Sequence, residues 1–143
     1  MTRKVHSIRV DKKLAAARAI MDWASVAHLP VVDVKGQLVG VITKETLQAA
    51  APSVMDRNIP RAESDRRLAV TPVSNAMVPD LPSVAPDSRA WLAAQLMAEH
   101  RVTCLPVVDG RRLVGMVTEA NLLDIVDHYE STLARATDQL GNA

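Results

Sequence analysis

Two threonines stand where this chain has the residue types and spacing for binding chemistry. Thr43 closes the strand-like run in Gly40-Val41-Ile42-Thr43-Lys44-Glu45-Thr46, and Thr118 does so in Gly115-Met116-Val117-Thr118-Glu119-Ala120-Asn121. Each ends a β-branched apolar stretch and begins a helical one. A hydroxyl at such a junction caps free backbone N–H groups. The same N–H groups and the helix dipole favour an anion such as phosphate, so both roles can hold at one residue. Gly40 and Gly115 interrupt the preceding strands, where glycine usually marks close approach of another backbone or a ligand. Other chemistry finds little support. His6, His28, His100 and His128 are dispersed, without the clustering that a metal site needs. Cys104 opens an apolar strand and reads as a small core hydrophobe. The serine-hydrolase elbow, the P-loop and the dinucleotide-binding glycine pattern are all missing.

The elements that position these residues occur twice. Leu29-Pro30-Val31-Val32-Asp33 returns as Leu105-Pro106-Val107-Val108-Asp109, and Leu38-Val39-Gly40 returns as Leu113-Val114-Gly115. Upstream, Val10-Asp11 and Ile20-Met21 fall opposite Pro86-Asp87 and Leu96-Met97. One supersecondary unit is therefore used twice. In the first copy the pattern predicts a strand at 7–10, then Asp11 as the cap of a helix over about 12–25. Strands at 29–32 and 38–42 form a hairpin, and a short helix follows Thr43. In the second copy a strand at 83–85 precedes a helix bearing Ala93, Leu96, Met97 and His100. A hairpin of 105–108 with 113–117 and a helix after Thr118 complete it. A copy pairing with its duplicate about a pseudo-two-fold axis creates a cleft between them.

The sequence divides into a first motif at 1–50, a connector at 51–75 and a second motif at 76–143. The connector reads as solvated, with a short helix near 64–70; its arginines are alternatively placed to lean over the cleft. The last helix carries Leu122, Ile125, Val126, Tyr129, Leu133, Ala136 and Leu140 at helical spacing, a stripe longer than a small sheet covers. Its outer half is expected to pack on a second subunit, or to fray at the tail.

Hydrophobic residues make up 48% of the 143, yet Phe is absent and aromatics are 2%, so Val, Leu, Ile, Met and Ala must build the core. Copies this small bury too little surface to be stable alone and should share that core. A net charge of +1 makes no electrostatic case for nucleic acid or an anionic membrane. A single cysteine, no apolar run of about 18 residues and no apolar signal core at the N-terminus point to a cytoplasmic protein outside the membrane.

From about Val5 to Val126 the chain resembles a tandem pair of cystathionine β-synthase (CBS) domains, a Bateman module. The likeness rests on the LPVVD strand, the LVG strand after it and the Gly-hydrophobic-hydrophobic-Thr-x-x-Asp/Asn pattern, each met twice. It implies an α/β (α+β) fold of two β-α-β-β-α units with packed sheets, and a homodimer. It also implies a regulatory sensor with no reaction of its own. Such a sensor binds AMP, ADP, ATP or S-adenosylmethionine as a regulatory ligand, with no required cofactor, and modulates a separate partner protein. The alternative is a ligand-independent interaction module with degenerate sites.

Carried over by resemblance, Thr43 and Thr118 approach phosphate, and Thr46 and Asn121 occupy the ribose position. Backbone near Ala27-His28-Leu29-Pro30 or Thr103-Cys104-Leu105-Pro106 reads adenine, and Ser7 and Ser83 line the pocket. Asn121 suits the ribose role, whereas Thr46 replaces the expected Asp with a shorter hydroxyl. The Thr118/Asn121 site is therefore expected to be the better of the two.

Overall fold

The computed structural model describes residues 5–50, 60–125 and 127–128. The first copy runs β1 (Ile8–Arg9), α1 (Leu14–Ala24), β2 (His28–Val32), β3 (Leu38–Thr43) and α2 (Lys44–Ala50). β2 is the middle strand of three, parallel to β1 and antiparallel to β3. The connector contributes α3 (Arg61–Val70) and a 3₁₀ turn at Val73–Asn75. The second copy runs α4 (Ala90–His100), β4 (Cys104–Asp109) and β5 (Arg112–Thr118), followed by α5 from position 119. The α+β architecture of two repeated units is thus the one the recurrence implies.

Prolines explain why the first strand of each copy is short. Pro30 sits in the middle strand but has no N–H to donate. β1 pairs only from Ile8 opposite Val31, just past that position. In the second copy Pro82 and Pro86 flank the expected strand at 83–85. It shrinks to one parallel bridge, Val84 to Val107, held by Val84 N–H to Pro106 O at 3.0 Å and Val108 N–H to Val84 O at 2.9 Å.

Asp11 does not cap α1. The helix starts at Leu14, and Lys13 at the cap position makes no side-chain bond. The chain between is used in pairing and turning: Val10 N–H reaches Val32 O at 2.9 Å and Lys12 N–H reaches Arg9 O at 3.1 Å. Asp11 instead meets the Arg9 guanidinium at 3.1 Å.

Leu14, Ala17 and Met21 of α1 pack on Ile8, Leu29, Val31 and Ile42. The connector is not all solvent: Leu68 of α3 and Val73 complete this cluster, both almost fully buried. The second cluster is smaller, with Ala93 and Met97 of α4 against Val84, Leu105 and Val107. The copies meet through their hairpin tips. Leu38 N–H donates to Arg111 O at 3.0 Å, Leu113 N–H to Gly36 O at 3.4 Å, and Gln37 bridges Arg112 in antiparallel fashion. Most of the terminal stripe, Val126 and 129–143, lies outside the described residues. Among the described residues, no helix is long and apolar enough to cross a membrane.

Candidate functional site

Each hairpin carries a register shift at the same place, between Val31 and Val32 in one copy and between Val107 and Val108 in the other. Gly40 and Gly115 face these shifts, opposite Val31 and Val107. At Gly40 the reason for glycine is close approach. A Cβ there would stand 2.8 Å from Met77 Sδ and 3.0 Å from the Val78 carbonyl oxygen. The segment at 77–78 is itself paired to β3, Val78 N–H to Val41 O at 2.8 Å.

Beyond the shifts, the strands end at the two threonines, and each helix opens with a reciprocal cap. Thr43 N–H donates to Thr46 Oγ1 at 2.9 Å, and Thr46 N–H to Thr43 Oγ1 at 3.1 Å. Thr118 N–H donates to Asn121 Oδ1 at 3.0 Å, and Asn121 N–H to Thr118 Oγ1 at 3.2 Å. The Thr118 hydroxyl also donates to Asn121 Oδ1 at 3.0 Å. This is the capping-box arrangement with Thr or Asn in place of Glu. The next N–H groups are spent too, Lys44 on Ala27 O at 3.2 Å and Glu119 on Thr103 O at 2.9 Å.

Among the described residues, each of the two threonines lines a cleft that draws on both copies. The first, about 540 Å³, joins Ala27, His28 and Pro30 of β2 and its approach to Met116, Thr118 and Ala120, with Val5, His6 and residues 24–26 completing it. The second, about 310 Å³, joins Arg101, Val102, Thr103 and Cys104 to Thr43 and Glu45, with Val78 and Leu81 as apolar wall. His28 belongs to both linings, and its Nε2 lies 3.0 Å from the Thr103 hydroxyl. Burial pushes the His28 imidazole below its ordinary pKa, partly opposed by the Glu45 carboxylate. Hydrogen bonds from its own backbone N–H and the Thr43 side chain, aided by His28 and Lys44, hold the Glu45 carboxyl below the usual range.

The structure therefore groups some of the expected residues and separates others. Thr118 lines one cleft with Ala27, His28 and Pro30; Thr43 lines the other with Thr103 and Cys104. Leu29, Leu105 and Pro106 are fully buried behind the clefts. Thr46 and Asn121 reach their clefts only through the threonines they cap. Asn121 otherwise faces a small cavity of about 140 Å³ beside Val84, Pro86 and Ser88. Ser83 lines a separate cavity of about 490 Å³ with Gly40, Asp80 and Arg111, and Ser7 lies outside both cleft linings. The connector arginines 61, 66 and 67 line neither cleft, and Arg66 and Arg67 pair with Glu63 on their own helix. Sequence reasoning missed Glu45 and Arg101. Placing the copies in register would have flagged them, since Ala120 and Ser25 stand at the equivalent positions.

The fold and its repeated unit agree with comparison to known proteins. The family described as the CBS domain matches residues 1–53 and again 73–128. The chain belongs to the CBS domain family. A CBS domain-containing protein of Dictyostelium discoideum is 35% identical over 129 residues, covering 88% of this chain and 87% of that one. The solved CBS domain of a CBS domain-containing membrane protein from Sphaerobacter thermophilus superposes with a TM-score of 0.71 at 28% identity, over 84% of this chain and 80% of that one. The CBS protein CBSX2, solved in complex with AMP, superposes with a TM-score of 0.74 at 24% identity, over 91% and 94% of the two chains. Other CBS relatives are longer. The chain spans 22% of a homoserine O-acetyltransferase from Methanococcoides burtonii and 21% of the magnesium transporter MgtE from Thermus thermophilus.

Proposed function

We propose that this CBS pair is a regulatory module that binds an adenosine-containing ligand between its two motifs and has no reaction of its own. The observation that carries this reading is the pair of equivalent clefts. Each sets the opening of one copy's LPVV strand against the threonine that ends the other copy's hairpin. A ligand in such a cleft touches both copies, so its binding energy depends on their relative angle. It can bias a partner only if the partner distinguishes the two arrangements. The Thr118 cleft is the better site, being wider and free of lining carboxylates. Its apolar walls come from Val26, Pro30 and Met116, against which adenine would be sandwiched, with the His6 and His28 rings also in the lining. The regulated partner is a separate protein, and the module acts as a homodimer in the cytoplasm. The exposed Trp23 of α1 and Trp91 of α4 support association through helices, and the free buried thiol of Cys104 suits a reducing compartment.

Thermal unfolding with AMP, ADP, ATP and S-adenosylmethionine tests the reading. A ligand that binds only the folded form adds about 2.7 kcal/mol at a hundredfold excess over its dissociation constant. Titration of Asn121→Ala then tests the ribose role, and unchanged affinity removes Asn121 from it. One observation favours the second reading, a ligand-independent interaction module: both caps are complete without a ligand, with Thr46 Oγ1 and Asn121 Oδ1 already engaged. No stabilisation by any of the four compounds would leave that reading in place.

A further inference from the structure

The two clefts are equivalent in backbone but not in charge. At the end of α1, Ser25 closes the helix in a left-handed conformation with φ of 55°, and Arg101 does the same for α4 with φ of 54°. These two residues line the first and second cleft respectively. Two positions after each threonine stand Ala120 in the first cleft and Glu45 in the second. The second cleft thus carries a carboxylate and a guanidinium at positions where the first carries a methyl and a hydroxyl. Among the described residues, neither Glu45 nor Arg101 takes part in an ion pair. The rest of the lining mixes Val78, Leu81, Val102 and Cys104 with the uncharged polar groups of Thr43 and Thr103 and with His28.

We infer that the cleft of Glu45 and Arg101 selects an adenosyl ligand ending in a cationic, amino-acid-bearing arm, and that the cleft of Ser25 and Ala120 does not. Glu45 receives the sulfonium or ammonium of such an arm, and Arg101 its carboxylate. A 5′-phosphate placed at Thr43 would instead meet the Glu45 carboxylate two residues along and be repelled. This rests on the adenosyl reading and divides its ligands between the two clefts. The bland role for Glu45, an acidic residue in the first turn of a helix, is real. It does not account for a guanidinium in the lining of the same cavity.

The test is calorimetric titration of the whole chain at low salt with four compounds. S-adenosylmethionine carries both charges of the arm and the sulfonium, and S-adenosylhomocysteine lacks the sulfonium. 5′-Methylthioadenosine lacks the arm, and AMP replaces it with phosphate. Exposed charge pairs are worth up to about fivefold in affinity. Glu45→Gln and Arg101→Gln should each weaken S-adenosylmethionine by about that factor and leave 5′-methylthioadenosine unchanged. Glu45→Gln should also strengthen AMP. Ser25→Arg with Ala120→Glu should confer a second S-adenosylmethionine site on the first cleft. The left-handed backbone at Ser25 accepts arginine as it does at Arg101. If 5′-methylthioadenosine binds but S-adenosylmethionine affinity stays within about twofold in both Gln variants, the inference fails and the adenosyl reading survives. If none of the four compounds binds, the adenosyl reading falls and this assignment with it.

Discussion

Cys104 shows at the scale of one residue how burial converts a reactive type into an inert one. It opens β4 at 2% exposure, and desolvation pushes its thiol up from 9.0 to about 11. The thiolate is the nucleophile, so the native protein should resist iodoacetamide at pH 8 and react fully once unfolded in urea. Linkage gives a second outcome. Above pH 9 the unfolded chain loses the thiol proton before the native one does, so it binds fewer protons and stability falls. That loss begins at the unfolded value and is complete above the native value of about 11. Cys104→Ala should remove this part of the alkaline decline in denaturant midpoint, and an unchanged slope would refute the assignment. The reading of Cys104 as core was available from its place at the head of an apolar strand. The depth of its burial was not, because Cys104 pairs with Thr118 of β5 and lies beside Val78, Leu81 and Thr43, residues distant from it in the chain.

At the scale of elements, the two threonine junctions hold their helices with or without a ligand. Thr118→Ala removes a side-chain cap and should cost about 1 kcal/mol of stability in ligand-free protein, read as a lowered denaturant midpoint. Binding experiments on that variant therefore need the stability change subtracted. The α3 segment carries a larger effect. Its sequence is dominated by charge, with Arg61, Glu63, Asp65, Arg66 and Arg67, and it reads as solvated. Yet Leu68 is 3% exposed and packs in the first cluster, and Asp65 reaches Arg18 of α1 at 3.3 Å. Leu68→Ala should destabilise by about 2–5 kcal/mol, the range for emptying a core leucine site. A change below about 0.5 kcal/mol, as for a surface position, would show that the connector is dispensable. A helix with one or two apolar residues per turn has no periodic signal strong enough to announce which of them is buried.

Among the described residues, the copies are joined at the hairpin tips, by the pairing of Val41 with Val78 and at the contact of His28 with Thr103. Both residues of that contact belong to the cleft walls, so the junction between copies and the candidate sites are one structure. Burial depresses the His28 pKa below 6.5. As pH falls through 6.5 the unfolded chain takes up this proton and the native chain does not. The unfolded state then binds more protons, and stability drops until the native pKa is passed. His28→Gln keeps a group able to meet Thr103 but does not titrate. Comparing denaturant midpoints at pH 7.5 and 5.5 should show a smaller acid loss in the variant than in the parent. Equal losses would mean that other groups carry the acid sensitivity.

Recurrence and local periodicity made the doubled unit, its hairpins and the two threonine junctions legible, because each depends only on neighbours within a dozen positions. The same locality makes Asp11 resemble a cap that it is not. A cap is suggested by residue type, but the chain at 10–13 is drawn into pairing with β2 and with Pro72, which lies far along the sequence. Likewise, the sequence left open whether Thr118 faces residues 27–30 or its own copy's 103–106. Only the assembled copies bring them together: Thr118, paired with its own Cys104, also shares a cleft with Ala27 and His28, and Thr43, paired with its own His28, shares one with Thr103 and Cys104. Nothing local relates Glu45 to Arg101. They share a cleft because two separately coded units pack face to face, and that packing is a property of the assembled surfaces rather than of any segment.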